Sequence, residues 1–472
     1  MTSQTATGIP VSPAASADAA PAPSATRLPL WQCWGFGVGS FGIALLLNTV
    51  TIFFPAFMTT VLGQSAALAG LLLTLSKLYD AVADIGIGAI SDRTQSRWGR
   101  RRPYMLAGAA ISGLSFLIIF IPPDWTGTSL TAWMLVGLIV YSTGYSLFSV
   151  PYIAMAGEMT DSYHERTRLM SFRAFFIALG QVVSAAGTAA LVAWFGGGTK
   201  GYAVMGAIIG ATLTLSMIVS VAMTKNARRT QHVAGRKFTR AEAARAILAN
   251  KPFMLLMTIK LAQYMAIAII TTTKLLFLLN VLKLGYSGLA QLTLVQNLVS
   301  AATVPLWVIV ARKIGKRTAY LLSTALLAMV YASWYFAEPG IAMSEVWLRG
   351  AINGVAAAGT TLMSISMLPD VMEYDRIRTG LRREGLFSGF YTIIEKLGFA
   401  LGAGLIGLLL SLGGYIPSFA GKLVTQPQSA IDALYWGSSL IPAGLAVLSC
   451  CLMLAYRLDD RRLKAMAAEA AG

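Results

Sequence analysis

The chain has 472 residues, of which 56% are hydrophobic and only 12% are charged. A soluble domain carries about 25% charged residues, so this composition excludes a soluble protein of the same length. The formal net charge of +17 is concentrated in short basic segments between apolar runs, which is typical of membrane topology and not of nucleic-acid binding. We therefore expect an all-α membrane protein whose surroundings are the lipid bilayer, with no nucleic-acid partner.

Residues 1–28 are rich in Ala, Pro, Ser and Thr and lack the apolar core of a signal peptide, which predicts a disordered cytoplasmic tail. Twelve apolar runs follow, each long enough to cross a hydrocarbon core of ~30 Å. The first six predicted spans are 31–60, 66–91, 104–123, 129–156, 168–195 and 201–224. The last six are 254–281, 287–311, 318–337, 343–368, 385–413 and 430–456. The polar segment 227–252 is predicted to be a cytoplasmic central loop, and 459–472 a cytoplasmic tail.

Basic residues distinguish the two sides of the membrane. The loops after spans 2, 4, 6, 8 and 10 and the C-terminal segment are rich in Arg and Lys, whereas Lys200, Lys283 and Lys422 are almost the only bases of the other loops. Because cytoplasmic loops carry the excess of positive charge, both termini and every even-numbered loop are predicted to be cytoplasmic. The expected location is the inner membrane of a bacterium.

The two halves of the chain repeat the same signals. Gly99-Arg100-Arg101-Arg102 follows span 2, and Gly315-Lys316-Arg317 follows span 8. Span 4 ends in Glu158, Asp161 and Arg166, and span 10 ends at the same offsets in Asp370, Glu373 and Arg378. Two six-helix bundles, 29–226 and 253–458, fit the major facilitator fold, in which the substrate binds between the halves near the middle of the membrane.

Span 2 contains three ionisable residues, which are costly inside a membrane unless they are paired or wet. Lys77, Asp80 and Asp84 are three and four residues apart and therefore share one helix face. Two carboxylates four residues apart can share a cation or one proton, which is what ion coupling requires. The alternative is that salt bridges hold both acids and that they have no role in transport.

Ionisable residues of other spans complete the predicted site. Lys396 in span 11 is the expected partner of the two acids, and Arg173 in span 5 offers a fork of donors for hydroxyls or a carboxylate. Arg173 could instead be an interfacial base. Lys274 in span 7 is a candidate for the cavity wall, whereas Lys260 is expected to snorkel towards the cytoplasmic interface.

Charged residues at the cytoplasmic ends of the spans are candidate gates, because ion pairs across the halves could form in one state and break in the other. The alternative is that they act only as topology signals. The candidate gate residues are Asp92, Arg97, Arg100, Arg101, Glu158, Arg166, Asp370, Glu373, Arg382 and Arg383.

At this point the chain resembles the glycoside–pentoside–hexuronide:cation symporters, the melibiose-permease group. In the first half the resemblance rests on Lys77-Leu-Tyr-Asp80-Ala-Val-Ala-Asp84, Ser96-Arg97-Trp98-Gly99-Arg100, Val150-Pro151-Tyr152 and Glu165-Arg166-Thr167-Arg168-Leu169. In the second half it rests on Asp370-Val-Met-Glu373-Tyr374-Asp375, Thr379-Gly380-Leu-Arg382-Arg383-Glu384-Gly385 and Lys396. These motifs cover nearly the whole chain in the same order.

The resemblance implies a cation site at Asp80 and Asp84 with the Ser146 hydroxyl, and roles in the same site for Arg173 and Lys396. Tyr145 and Ser149 of span 4 are further candidates for substrate binding, with Lys274. The chain departs from the family where Ala83 replaces an asparagine, and where Gly42, Ser149 and Ile153 stand in place of two sugar-binding acids and a tryptophan. The coupling ion is H⁺ or Na⁺, with no other cofactor, and the loss of the asparagine oxygen favours H⁺.

The sequence therefore predicts a cation-coupled symporter that imports a sugar, glycoside or uronide and works as a monomer. One alternative is a related carrier for a lysolipid or another amphipathic solute. Another is a transport-inactive membrane sensor or scaffold. An enzyme is not expected, because the sequence contains no nucleophile–base pair, phosphate loop or metal-ligand spacing, and no metal site is predicted.

Overall fold

The computed structural model describes residues 28–94, 96, 98–160, 163–225, 240–381, 383–419, 424–458 and 466. Twelve of its helices are long and apolar enough to cross a membrane, which confirms the predicted number of spans. The predicted N-terminal tail except residue 28, the first part of the central loop, 227–239, and the C-terminal tail except residue 466 lie outside the described residues.

Each of the twelve predicted spans contains one or two α-helices. Spans 1 to 6 contain the α-helices Leu30–Ala56, Ala66–Arg93, Arg102–Phe120, Gly127–Met159, Tyr163–Val182 with Thr188–Trp194, and Thr199–Met223. Spans 7 to 12 contain Lys251–Asn280, Gly285–Ile314, Lys316–Ser333, Met343–Ser366, Glu384–Leu412, and Gln428–Tyr435 with Ile441–Leu454. A short π-helical turn, Phe57–Val61, ends span 1, and two others, Val183–Gly187 and Trp436–Leu440, interrupt spans 5 and 12.

Two helices lie near the predicted loops, and the first falls in the segment 227–252, which the sequence predicts to be partly helical. Arg240–Ala249 forms a helix within the predicted central loop. Leu368–Thr379 continues beyond span 10 as a separate helix, with Pro369 in its first turn. The break falls at Met367 because proline lacks the N–H that a helix interior needs but is tolerated in a first turn.

The helices of each half pair in the same way. In the first half, span 1 packs on spans 5 and 6, span 3 on spans 4 and 6, and span 2 on span 4. In the second half, span 7 packs on spans 11 and 12, span 9 on spans 10 and 12, and span 8 on span 10. The repeat also extends to the loops, since Gly99 and Gly315 both adopt positive φ, at 91° and 83°, where glycine carries no steric penalty.

The two halves meet where span 5 packs on span 8, where span 1 packs on span 7, and where span 2 packs on span 11. Gly70 and Gly407 lie so close that a Cβ added to Gly407 would be 2.8 Å from the Gly70 Cα and 2.7 Å from the Ala66 carbonyl oxygen. The Thr74 hydroxyl also donates to the Ala400 carbonyl at 2.9 Å. Small residues allow this close approach, which is how membrane helices associate without a hydrophobic driving force.

One end of the molecule is closed by contacts between the loops of the two halves. The Ser418 amide donates to the Thr59 carbonyl at 2.7 Å, and Leu62 forms an isolated antiparallel bridge with Phe419. On the same side, the hydroxyls of Tyr202 in span 6 and Tyr286 in span 8 are 3.2 Å apart. This end carries the loops that are poor in basic residues.

The other end is open between the halves. Ala400 and Ala403 are buried on the face of span 11 that packs on span 2. Further along the same face Ile393 is 45% exposed, and nothing lies within 4 Å of a Cβ built on Gly389. Spans 2 and 11 therefore separate beyond Lys396, and a cavity opens towards the end that carries the basic loops.

We predict that Gly407→Val lowers the melting temperature of the purified protein. A valine side chain at this position would meet backbone atoms of span 2, and overpacking of this kind costs about 1–3 kcal/mol. Gly444→Val is the matched control, because nothing lies within 4 Å of a Cβ at Gly444. Equal melting temperatures for the two variants would show that the contact between spans 2 and 11 is looser than described.

Candidate functional site

Three ionisable side chains form a buried cluster between the halves. The Lys396 ammonium lies 2.9 Å from Asp80 Oδ2 and 2.5 Å from Asp84 Oδ2, and it also donates to the Asp80 carbonyl oxygen at 3.0 Å. Asp80 is only 1% exposed. The sequence prediction that Lys396 approaches both acids matches this geometry.

Span 4 fixes the acids from the other side. The Ser146 hydroxyl donates to Asp80 Oδ1 at 2.8 Å, and one turn away the hydroxyls of Ser76 and Ser142 are 2.9 Å apart. Both pairs are separated by 66 residues, because spans 2 and 4 run parallel in a constant register. The four-residue spacing of these polar residues places them on one helix face.

The two acids differ in how well they are satisfied. Both oxygens of Asp80 have partners, Ser146 and Lys396. Asp84 uses only one oxygen, and its buried Oδ1 has no hydrogen-bond partner among the described residues. A buried acceptor without a partner is costly, so Asp84 Oδ1 is where an incoming proton or cation would gain most.

Lys77 contacts tyrosines of span 4 and forms no ion pair with the acids in the described part of the chain. Lys77 Nζ is 3.5 Å from the Tyr141 hydroxyl and lies over the rings of Tyr141 and Tyr145. The Lys396 ammonium is 5.8 Å from the centre of the Tyr145 ring. Lys77 therefore makes cation–π contacts, whereas Lys396 forms the ion pairs with Asp80 and Asp84.

Arg173 lies half-buried on span 5, among aromatic side chains. Its neighbours Phe172 and Phe176 pack edge-on against Trp34, with ring centres 5.8 and 5.3 Å apart. The buried Nε of Arg173 has no hydrogen-bond partner in the described part of the chain. The guanidinium thus keeps donor capacity for a ligand.

The other predicted substrate residues lie in different places. Tyr145 borders the acid–lysine cluster, and Ser149 is buried one turn further along span 4. Lys274 instead lies inside the second half, where its ammonium is 3.1 Å from Gln296 Oε1 of span 8. It borders a small pocket of about 20 Å³ with Asn353 of span 10.

The packing shows what surrounds Gly42 and corrects the expectation for Lys260. Gly42 faces span 6, where an added Cβ would be 2.5 Å from Ser216 Oγ, so this position has no room for a sugar-binding acid. Lys260 does not snorkel, because it is 1% exposed and donates to Ser364 Oγ at 2.8 Å and to Gln263 Oε1 at 3.3 Å. The polar residue Gln263 one turn away was the available signal for a buried lysine.

Candidate gate residues at the open end form ion pairs within the second half. Asp370 binds Lys316 at 2.7 Å, Glu373 binds Arg376 at 2.6 Å, and Arg383 lies 3.8 Å from Asp375. Arg100 and Arg101 are half-buried before span 3. Arg97, Arg382 and the side chains of Asp92, Glu158 and Arg166 lie outside the described residues. A role for these residues in gating stays a prediction.

The family model and the similar proteins agree on one family of transporters. Residues 35–460 match the family model described as MFS/sugar transport protein. An uncharacterized symporter of Synechocystis sp. is 26% identical, with 89% of this chain and 92% of that protein covered. The isoprimeverose transporter of Lactiplantibacillus pentosus is 25% identical, with 93% and 91% covered. The glucuronide carrier protein homolog of Escherichia coli is 25% identical, with 92% and 94% covered.

A similar fold occurs among solved structures. A bacterial homologue of the human lysosomal transporter Spinster, in an inward-facing and unoccupied conformation, has a TM-score of 0.67 with this chain and 16% sequence identity. The alignment covers 91% of this chain and 98% of that protein. At this identity the likeness supports the fold, which is that of the major facilitator superfamily.

We predict that Asp84→Asn abolishes cation-driven solute accumulation while leaving the protein folded, because Asp84 is the less buried acid. Asp80→Asn should abolish accumulation too and also lower the melting temperature, since removing one partner of a buried ion pair costs about 3–5 kcal/mol. Both variants would be compared with the parent by uptake into proteoliposomes and by thermal melting. Retained exchange of solute fits the prediction, whereas full concentrative uptake by either variant contradicts it.

Proposed function

This chain belongs to the MFS/sugar transport protein family, and we propose that it is a cation-coupled symporter that imports a sugar, glycoside or uronide. The observation that carries the proposal is the position of Lys396, a residue of the second half, between Asp80 and Asp84 of the first half. An ion site that joins the two halves links the binding of a cation to their relative movement. Alternating access requires such a link.

The charges of this cluster indicate how one cation could act. Two carboxylates and one ammonium leave one negative charge in the cluster, and Lys77 is directed to tyrosine rings instead. A cation bound at Asp84 Oδ1 would neutralise that charge and weaken the pairing of Lys396 with the same carboxylate. Release of Lys396 would remove the ion pairs that join spans 2 and 11, so that the halves can rotate.

Orientation follows from the basic loops. The open end carries them, so by the positive-inside rule we assign this end and both termini to the cytoplasm of a bacterial cell. The cavity of the described state then faces inward. We also propose that the protein works as a monomer, because one chain supplies every residue of the site.

The solute class is supported by Arg173 and by the relatives. A free guanidinium donor beside aromatic rings suits the hydroxyls and apolar faces of a sugar, or the carboxylate of a uronide. One relative is named for isoprimeverose and another for glucuronides.

Uptake of radiolabelled methyl xyloside, methyl glucoside and methyl glucuronide into proteoliposomes tests the proposal. Uptake of a lysophospholipid alone would favour an amphipathic solute, and uptake of none of the four would contradict transport of this class.

We predict that Arg173→Ala weakens binding of the transported sugar roughly tenfold to a hundredfold, the range of a charged hydrogen bond. Arg173→Lys should restore only part of the affinity, because lysine keeps the charge but loses the planar fork. Binding is measured by calorimetry, and the response to the cation by thermal shift. Parental sugar affinity in Arg173→Ala would place Arg173 outside the binding site.

We predict that the coupling ion is H⁺. Ala83 contributes no oxygen to a Na⁺ shell, whereas a proton needs only one carboxylate. A proton entering gains ~2.3 kcal/mol per 100 mV of membrane potential, enough to concentrate a neutral solute about fiftyfold. At fixed potential, a pH gradient should therefore drive uptake into sodium-free proteoliposomes.

Ala83→Asn provides the matched variant for the coupling ion, because it restores an amide oxygen beside Asp84. We expect this variant to gain stimulation by sodium that the parent lacks. Strict dependence of the parent on a sodium gradient, with no response to pH, would contradict proton coupling.

A further inference from the structure

Span 11 presents a second acid, Glu395, on a different face from Lys396. Neighbouring residues of a helix are about 100° apart, so Glu395 does not face span 2. Its stripe contains the exposed polar residues Ser388 and Thr392, whereas Leu401 and Leu408, exposed and apolar, mark the side of the helix that faces lipid. Gly398 and Gly402 of the same stripe pack on span 7, and Glu395 itself is partly exposed. Glu395 therefore borders the open cavity at the edge of span 7.

The Glu395 carboxylate is surrounded by positive charge but forms no ion pair. Lys260, Lys396, Lys77 and Arg173 all lie within electrostatic range of it. Among the described residues, however, Glu395 forms no ion pair within 4.0 Å, and its hydrogen-bond partner is the Tyr264 hydroxyl. An acid with a purely structural role would be paired with a cation at this depth. Because one tyrosine hydroxyl occupies only part of the acceptor capacity of a carboxylate, Glu395 can still accept hydrogen bonds from a ligand.

The wall behind Glu395 is well ordered by polar contacts. The hydroxyls of Tyr264 in span 7 and Tyr391 in span 11 are 2.6 Å apart, and the Lys260 ammonium lies 4.9 and 5.4 Å from the centres of their rings. The Tyr264 hydroxyl also interacts with Glu395. Lys260 is itself held by Ser364 and Gln263, which makes it a positioning residue for this wall.

We propose that Glu395 is a substrate-binding residue of the second half, and that its carboxylate accepts hydrogen bonds from sugar hydroxyls. This inference rests on the proposed function. Hydroxyl groups are donors that a carboxylate binds strongly, through charge-assisted hydrogen bonds. Gly42 has no room for an acid and Ser149 has no charge, so the carboxylate that grips the sugar is supplied here by span 11.

The position of Glu395 also suggests how a bound sugar would favour the conformational change. Arg173 belongs to the first half and Glu395 to the second, and the two are within electrostatic range of each other. A hydroxylated solute bound to both would bridge the cavity and favour closure of the open end. A solute can drive such closure only if it binds the closed state more tightly than the open state.

The test compares the parent with Glu395→Gln and Glu395→Asp, using methyl xyloside, methyl glucoside and methyl glucuronide as probes. Glutamine keeps the size but loses the charge, so we expect the affinity for the bound probe to fall roughly tenfold to a hundredfold. Aspartate should recover part of that loss. Glu345→Gln, at an exposed acid near the start of span 10 that pairs with Arg349, is the matched control and should bind like the parent.

Cation binding distinguishes the proposal from an ion-coupling role. Glu395→Gln should keep the parent's thermal shift in response to pH and to sodium, since Asp80 and Asp84 are intact. Parental sugar affinity in Glu395→Gln would overturn the proposal, as would loss of the cation response with retained sugar binding. If the parent itself binds none of the three probes, the proposed function fails, and this inference fails with it.

Discussion

The ion pairs of Lys396 with Asp80 and Asp84 are the contact on which the arrangement of the two halves depends. Each charge alone would be expensive in a membrane, where the cost of an unpaired ionisable residue is several kcal/mol. Together they form one cluster in which an ammonium of the second half satisfies carboxylates of the first. The cluster is therefore stable only while spans 2 and 11 stay close, and any ligand that competes for these oxygens weakens the contact.

Small residues make that proximity possible. Gly407, Ala403, Ala400 and Lys396 follow one face of span 11, and Gly70 meets them from span 2. The glycine contact lies nearer the closed end, and the ion pairs lie where the two helices begin to separate. This order places the charged cluster at the pivot of the opening, where a small change in helix separation breaks or forms salt bridges while the apolar contact persists.

Much of this arrangement could be predicted from the sequence. Apolar runs of sufficient length fix the spans, and the repeated Gly99 and Gly315 motifs reveal the two halves. Rare intramembrane charges identify Asp80, Asp84, Lys396 and Arg173 as candidate site residues, because the cost of burial leaves few reasons to retain them.

The remaining features depend on which helix lies opposite, and periodicity alone does not give that information. Lys260 looked interfacial from its position in span 7, but tertiary packing surrounds it with Ser364 and two tyrosine rings. Gly42 stands in place of a sugar-binding acid, and the structure adds that its face meets Ser216. Glu395 does not share the face of Lys396, and only the packing of span 11 against span 7 shows that it borders the cavity.

Span 11 thus carries two neighbouring ionisable residues with different partners. Lys396 contacts the carboxylates of span 2, and Glu395 borders the cavity across from Arg173. A cation that displaces Lys396 and a sugar that binds Glu395 both act on span 11. Because span 11 moves as one rigid helix, both ligands change the position of the same element. Coupling between ion and sugar then needs no chain of intermediate contacts, because each ligand changes the preferred position of span 11 and so changes the affinity for the other.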